Sequence, residues 1–546
     1  MPPVQASRAI ADVRIPRAGL LALTIAGAAV LAVLFLARNL NFYFDEYSFL
    51  LNSLDWTFAS YWHPVLEHWV TLAALAYRGE LAVFGMRTHL PFVATLALLN
   101  AGAALLLFAL VRRRSGDLLA LSAMALMLLM GQGYENILQP YQITVVGSAF
   151  FGLGALWLLE KDSRWRWLAA GFALLAGLMS SGFGLFFLCA VGVRILAERR
   201  WEVLPAVLGP PVLGYAAWFA AFGSAGLHHV NVPHDLQTAV SLAGFAARSV
   251  GTTFTAVLGL DRSFGVLGLV VPAAAAILWW RRRHVDPLVL AAIAALATQY
   301  VLIGLERSQA EMPAPRYLQG GAAFALIVLA DCLRGLSWRP PWRPLYFVSL
   351  AAALTLSGTY LAAVAGALER VEATQDAELQ TVMVFRGAPD LDQDSVVDLL
   401  ISPYTTPRRY YEAVDRYGSP VPVIGVEGLD HLPSAAVDQA MGAMFIRSMV
   451  VSTGVPPADA TCQQVSAQSV DVEAASGGAV WYTSSAEGTV AVLLWFHGLP
   501  PGAASTAFHT GAGWVRIHVP DTGKPIKWRA RLEFPTVAAA SVCTTP

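Results

Sequence analysis

Long apolar runs, each about as long as a membrane is thick, constrain this chain more than any other feature of its sequence. A helix needs about 20 apolar residues to cross roughly 30 Å of hydrocarbon. Two stretches, 70–86 and 240–259, are only moderately apolar, because the first carries Arg78 and Glu80 and the second Arg248. The eleven stretches that come close to this length are 18–37, 90–111, 117–133, 141–159, 166–180, 183–197, 203–222, 264–280, 287–305, 316–333 and 345–367. The pattern predicts a polytopic α-helical membrane protein of about eleven transmembrane helices, with the first run retained as a signal anchor.

The composition excludes a soluble protein of this length. Hydrophobic residues make up 56% of the 546 residues and charged residues only 13%, so the bilayer is the solvent for most of the chain. The sequence contains no glycine-rich phosphate loop, no nucleophile elbow and no Cys-x-x-Cys pair, which argues against nucleotide-driven transport and hydrolase chemistry. We expect membrane lipids, but no nucleic acid, among its partners.

The positions of the cationic residues predict how the chain is oriented. Lys and Arg near the ends of spans are retained in the cytoplasm. If 70–86 and 240–259 are juxtamembrane helices, all the cationic clusters between spans fall on one side. These clusters are Arg8, Arg14 and Arg17; 112–114; Lys161, Arg164 and Arg166; Arg199 and Arg200; 281–283; and Arg334, Arg339 and Arg343. We therefore expect the C-terminal part to lie outside the cytoplasm. Lys occurs only at positions 161, 524 and 527, and this predominance of Arg suggests a GC-rich bacterial genome, so the membrane is expected to be the bacterial inner membrane.

The last third of the chain is predicted to fold outside the membrane. Acidic residues and Pro become frequent after Glu369, and an amphipathic helix is expected to open at Pro407 and end near Gly418. Short alternating strands separated by Gly and Pro turns follow from about Thr461, which is typical of a small β-sandwich. The predicted division is a transmembrane domain at 1–368, a mixed α/β segment at 369–460 and a β-sandwich at 461–546.

Two cysteines bracket the predicted sandwich, and several aromatic residues lie within it. Cys462 and Cys543 would form a disulfide in an oxidising compartment. Two interpretations of the aromatic residues stay open, a sandwich core and a surface that binds sugar rings. The residues concerned are Trp481, Tyr482, Trp495, Trp514 and Trp528.

An acidic pair follows the first span within a few residues. Asp45 and Glu46 stand in the segment Asn41-Phe42-Tyr43-Phe44-Asp45-Glu46-Tyr47, where charge so near the hydrocarbon is costly and suggests a function. The alternative is that both residues only stabilise the start of the following helix. Other polar residues predicted on the same face favour a polar cleft that binds substrate. These are His63, Glu67, His68, Glu135, Asn136 and Gln142.

This arrangement resembles the GT-C superfamily of polyprenyl-phosphate-sugar-dependent glycosyltransferases. The resemblance lies in a signal anchor followed at once by Asp45 and Glu46, a juxtamembrane segment with His63 and Pro64, many further spans and an outer C-terminal tail. It implies an inverting transferase whose catalytic base is Asp45. Glu46 would orient the acceptor or help to hold a divalent cation, with Mg²⁺, Mn²⁺ and Ca²⁺ left open. The implied partners are a polyprenyl-phosphate sugar donor and a glycan, lipid or protein acceptor of the cell envelope.

Such a reaction also needs cations for the leaving phosphate. Arg307 and Arg316, with Tyr317 beside the latter, lie at the outer ends of the spans 287–305 and 316–333, and the planar guanidinium suits phosphate. The alternative is an anchor in the lipid headgroup zone, where Arg and Tyr are both favoured. His228 and His229 are expected in a solvated loop and not in a metal site.

Two other functional classes remain open at this stage. One is a transporter or flippase of lipid-linked glycans, which would use charges in mid-span and inverted repeats. The other is a non-catalytic protein of envelope assembly.

Overall fold

The computed structural model of the chain divides into two compact units. It describes residues 9–65, 67–226, 235–307, 310, 312–339, 342–484, 488–497, 505–510, 513–534 and 540–545. The first unit comprises residues up to Asn39, Trp56–Glu80 and Leu90–Ala367, and the second comprises Leu40–Asp55, Leu81–His89 and Leu368 onward. The predicted loop with His228 and His229 lies outside the described residues.

Helices dominate the first unit. In chain order they are α1 (Ala18–Leu36), α2 (Asp45–Asn52), α3 (Thr71–Phe84), α4 (Leu90–Leu128), α5 (Glu135–Leu138), α6 (Ile143–Leu158), α7 (Arg164–Ser180), α8 (Gly184–Ala197), α9 (Leu204–Ala221), α10 (Leu236–Val257), α11 (Gly265–Gly268), α12 (Val270–Arg282), α13 (Pro287–Arg307), α14 (Pro315–Leu333), α15 (Trp342–Val384), α16 (Pro407–Tyr417) and α17 (Ser434–Phe445). Of these, α2, α16, α17 and the ends of α3 and α15 belong to the second unit.

The predicted polytopic helical fold is confirmed. Among the described residues, eight helical stretches are long and apolar enough to cross a membrane. Because α4 contains two predicted spans, these stretches account for nine of the eleven. The remaining two correspond to α7 and α8, with 17 and 14 residues. The two moderately apolar stretches form α3 and α10.

Gly116 separates the two spans within α4. Its backbone has φ 85° and ψ 176°, a conformation that glycine adopts without the steric cost of a Cβ. A Cβ at this position would also overlap the carbonyl oxygen of Ala11. The chain therefore turns at Gly116 while the N-terminal segment packs directly against it.

Ion pairs join several loops at this end of the first unit. Glu160 accepts from Arg194 at 2.8 Å, from Arg114 at 3.0 Å and from Arg113 at 3.3 Å. Arg114 also lies 3.2 Å from Asp286. These residues come from loops and helix ends that the charge pattern assigns to one side of the membrane, and the structure brings them together.

Helix α15 continues well past the hydrocarbon. Its 43 residues span about 64 Å at 1.5 Å per residue, roughly twice the hydrocarbon thickness. The apolar part ends before Glu369 and Arg370, and the residues from Leu368 onward belong to the second unit. The acidic residues of the last part of α15 therefore lie beyond the membrane-spanning segment.

The C-terminal part of the second unit is a β-sandwich. Its strands are β1 (Val450–Thr453), β2 (Thr461–Val465), β3 (Ser469–Ala475), β4 (Ala479–Ser484), β5 (Gly488–Trp495), β6 (Ser505–Thr510), β7 (Gly513–His518), β8 (Lys527–Glu533) and β9 (Ala540–Thr544). One sheet has the order β1-β7-β4-β9-β2 and the other β3-β8-β5-β6. All pairings are antiparallel. Because β1 joins the first sheet, the sheet region begins before the predicted residue 461.

A disulfide and buried aromatic rings hold the sandwich together. Cys462 in β2 lies directly opposite Cys543 in β9, and their sulfur atoms are bonded. Trp528, Tyr482, Trp495 and Trp481 are buried, whereas Trp514 is partly buried against the Trp481 cluster. Of the two interpretations of these aromatic residues, the structure favours the core, because buried rings offer no face to a sugar.

Candidate functional site

Most of the predicted site residues fall into two groups, one in each unit. The first group, called the Arg316 cluster here, consists of His68, Glu135, Asn136, Arg307, Arg316 and Tyr317 in the first unit. The second group, called the Asp45 segment, consists of residues 41–46 in the second unit.

The start of α14 organises the Arg316 cluster. Pro315 occupies the first turn of this helix and Arg316 follows it. A cation at a helix N-terminus is unfavourable because the helix dipole is positive there, and Glu135 compensates with an oxygen 3.1 Å from Nη1 of Arg316. The side-chain amide of Asn136 donates to the carbonyl oxygen of Arg316 at 2.8 Å. Adjacent residues of α5 thus hold both the side chain and the backbone of Arg316.

Two guanidinium groups lie over the ring of Tyr317. The Cζ atoms of Arg316 and Arg307 are 5.4 and 5.7 Å from its centroid, within the range of a cation–π interaction. The carbonyl oxygen of Tyr317 accepts a hydrogen bond from Nε2 of Gln299 at 2.6 Å, and Phe183 stacks on its ring at 6.0 Å. Tyr317 is therefore a fixed, buried platform that gathers two positive charges at the ends of α13 and α14.

His68 is also part of the Arg316 cluster. Its partial burial lowers its pKa, and the positive charges of Arg307 and Arg316 act in the same direction, against the opposing effect of Glu67. Gly182 packs beside it, because a Cβ there would lie 3.0 Å from Nδ1 of His68. A histidine kept neutral in this way can donate or accept a hydrogen bond without adding to the local positive charge.

Three further predicted residues belong to the first unit: Glu67, which opposes the lowering of the pKa of His68, and His63 and Gln142. His63 is exposed and packs edge-on against Phe222, with ring centroids 5.5 Å apart. Gln142 is buried at the end of the turn Pro140–Gln142. Neither makes a described contact with the Arg316 cluster, so their predicted substrate contacts stay predictions.

The Asp45 segment is set by an unusual backbone conformation. Phe44, directly before α2, has φ 46° and ψ −107°, and a non-glycine residue in such a region costs on the order of 1–3 kcal/mol. Its N–H donates to Oε1 of Gln375 at 3.4 Å, and its ring packs edge-on against Tyr404 at 6.2 Å. Asp45 follows as the first residue of α2, partly exposed, with Oδ1 accepting from the hydroxyl of Tyr404 at 3.4 Å.

The neighbouring Glu46 has a different environment. It is buried, accepts from the N–H of Tyr43 at 2.8 Å and lies 3.2 Å from Nε2 of the equally buried His89. These contacts give Glu46 a structural role in holding the turn before α2. The two carboxylates of the acidic pair thus differ, since only Asp45 is accessible to a substrate. Their predicted catalytic roles are not tested by these contacts.

Sequence reasoning missed a group of acidic residues on α15. Glu372 accepts from the N–H of Asn41 at 2.8 Å, and Asp376 accepts from the amide of Asn41 at 2.9 Å. Burial raises the pKa of Glu372 to about 7 and that of Asp376 to about 6. Burial likewise raises the pKa of Glu378 to about 8. The sequence feature that could have revealed this group is the four-residue spacing of Glu372 and Asp376, which places them on one helix face.

The predicted participation of a divalent cation stays a prediction. Within the described ranges, no three His, Cys, Asp or Glu side chains are grouped in a way that could hold a metal ion. Glu46 in particular directs its carboxylate to His89 and Tyr43.

Comparisons with known proteins show a distant structural similarity. No family model and no curated protein matches the sequence. Three solved chains match, among them ArnT from Cupriavidus metallidurans, whose crystal structure has undecaprenyl phosphate bound. This chain is 13% identical to ArnT, with a TM-score of 0.47 over 75% of this chain and 86% of ArnT. A similarity of this extent is too distant to assign the chain to a family.

Proposed function

We propose that the protein is a membrane glycosyltransferase of the GT-C type, which transfers a sugar from a polyprenyl phosphate to an acceptor on the outer face of the bacterial inner membrane. The observation that carries the proposal is the Arg316 cluster, where two guanidinium groups converge on one buried tyrosine at the ends of two apolar helices. Converging like charges favour an anionic ligand, and a lipid phosphate can reach the end of a span from the bilayer.

The reaction that fits this cluster is an inverting displacement. An acceptor hydroxyl oxygen attacks the anomeric carbon, the bond between that carbon and the phosphate oxygen breaks, and the electron pair leaves with the polyprenyl phosphate. Arg316 and Arg307 would stabilise the charge that develops on the phosphate. Asp45, the accessible member of the acidic pair, would take the proton from the acceptor hydroxyl.

Binding of the lipid phosphate can be tested without knowing the sugar. Purified protein in nanodiscs is titrated with undecaprenyl phosphate, and the double variant Arg307→Gln/Arg316→Gln is compared with Arg281→Gln, which changes an exposed arginine in the last turn of α12. Loss of two phosphate ligands is expected to weaken binding at least tenfold, since each charged hydrogen bond contributes about 1.5–3 kcal/mol. Equal affinity in the double variant would exclude the cluster as the phosphate site.

Transfer itself is tested in cells. Lipid and glycan profiles of a strain without this protein are expected to show an accumulated lipid-linked sugar and a glycan that lacks that sugar. The Asp45→Asn variant should reproduce this profile at normal expression. A lipid-linked glycan that is moved across the membrane without any transfer product would instead favour a flippase.

A further inference from the structure

An arginine-lined cavity lies in the first unit, at helix ends other than those that form the Arg316 cluster. It takes no part in the proposed reaction. Its volume is about 610 Å³. Trp157 and the backbone around Gly116 form part of its wall. Its charged lining residues are Asp12, Arg14, Arg112, Arg113 and Arg114.

Hydrogen bonds and packing fix the N-terminal segment that forms part of the wall of this cavity. The N–H of Ile15 donates to Oδ2 of Asp117 at 3.0 Å, and the N–H of Ile10 donates to the carbonyl oxygen of Leu336 at 2.9 Å. Ile10 is completely buried, and Gly116 allows the backbone of Ala11 to pack against the turn of α4. The segment that carries Arg14 is therefore held in place beside the arginines of α4.

Positive charge predominates in the cavity, because four arginines and one carboxylate, that of Asp12, line it and the carboxylates paired with Arg112 and Arg113 are buried. Arg112 pairs with Asp117 at 2.6 Å and Arg113 with Glu160 at 3.3 Å. The two arginine side chains are 42% and 40% exposed, whereas those of Asp117 and Glu160 are 3% and 7% exposed. A guanidinium has five N–H donors, and each of these pairs engages one nitrogen, so both arginines retain donors for a ligand.

The cavity also lies at the boundary of the hydrocarbon. Arg112 to Arg114 directly follow the apolar run 90–111, Trp157 is close to the end of α6, and Arg14 stands four residues before α1. Trp is favoured at the interface between hydrocarbon and headgroups. Basic pockets between transmembrane helices are suited to anionic lipid headgroups.

We propose that this cavity binds the phosphate of an anionic phospholipid headgroup, with Arg14, Arg112 and Arg113 as its ligands. Planar guanidinium groups bind phosphate oxygens through paired hydrogen bonds. A bound lipid would bridge the N-terminal segment and the turn of α4, and so would stabilise the first unit. The predicted orientation places this lipid in the cytoplasmic leaflet.

The test uses the full-length protein in nanodiscs. Retention of phosphatidylglycerol relative to phosphatidylcholine is measured by native mass spectrometry for the wild type, for Arg14→Gln/Arg113→Gln and for Arg281→Gln/Arg283→Gln. The control pair removes two exposed arginines at the end of α12, which the charge pattern assigns to the same side. The first pair should lower phosphatidylglycerol retention at least fivefold, and the control pair should change it less than twofold. An equal loss of phosphatidylglycerol retention in both double variants would mean that retention depends on general surface charge, and it would overturn the proposal.

Two further measurements on the wild type decide the case even if the variant does not fold. Photoactivatable phosphatidylglycerol should cross-link to peptides containing residues 9–15 or 109–116, and cross-links confined to other peptides would refute the site. Inorganic phosphate at millimolar concentration should not displace the lipid. Complete displacement would indicate a site for free phosphate and would contradict the assignment to a headgroup.

Discussion

Nε2 of His89 lies 3.2 Å from Oε2 of Glu46, and each side chain is only 3% exposed. The two residues are far apart in sequence, and their contact ties the turn before α2 to the segment Leu81–His89 of the same unit. A buried pair of this kind depends on both partners, because removal of one leaves the other without compensation.

We expect Glu46→Ala to destabilise the second unit by about 3–5 kcal/mol, since it leaves His89 buried without its carboxylate and the N–H of Tyr43 without its acceptor. Thermal unfolding of the purified protein, followed by tryptophan fluorescence, measures this effect. A variant with unchanged stability and reduced activity would instead give Glu46 the catalytic role that the sequence resemblance implies.

Asp45→Asn should lower sugar transfer by about 100- to 10,000-fold, the usual contribution of a general base. The change in stability should stay below about 1 kcal/mol, because Asp45 is partly exposed and contributes mainly a charge at the start of α2. The transfer rate with a lipid-linked donor measures the first effect and the unfolding midpoint the second. Asp394→Asn, at an exposed aspartate of the same unit, is the matched control and should retain full activity.

The acidic residues of α15 predict a dependence of stability on pH. The pKa of Glu372 is raised from 4.5 to about 7 and that of Asp376 from 3.8 to about 6. The folded protein therefore holds these protons more tightly than the unfolded chain does. Their contribution to stability is fully present below the unfolded pKa values and is lost as the pH rises through about 6 to 7.

The midpoint temperature of unfolding of the second unit should thus decrease as the pH is raised from 5 to 8. The double variant Glu372→Gln/Asp376→Asn should show a smaller decrease. Glu412→Gln, at a more exposed site whose pair with Arg409 lies on α16, serves as the control. A midpoint that rises over this range in the wild type, or a slope that the double variant leaves unchanged, would contradict the prediction.

The disulfide should contribute about 4 kcal/mol to the stability of the sandwich, because Cys462 and Cys543 are separated by 81 residues and their bond restricts a long loop in the unfolded chain. The double variant Cys462→Ser/Cys543→Ser measures this contribution.

In intact cells, a variant that lacks Cys189 and Cys332 should show no thiol available for alkylation until it is reduced. Free thiols without reduction would place the sandwich in a reducing compartment.

The sequence predicts the helical bundle well because the membrane requires an apolar run for each span. It also predicts α16, whose bounds Pro407–Tyr417 follow from an N-terminal proline and a C-terminal glycine. The environment of the acidic pair cannot be predicted from the sequence in this way, because it depends on His89 and Glu372, which are distant in sequence. The positive φ of Phe44 is equally hidden, because nothing in the residue type marks it.

The strand order of the sandwich sets a constraint on how this part of the chain matures. Among the described strands, β5 and β6 are the one pair of sheet neighbours that are consecutive in sequence. Every other pairing must wait for a later strand, and such non-local pairing is slow. β1 and β4 remain without their neighbour β7 until most of the region has been synthesised, so their edges are open to association with other chains during that interval.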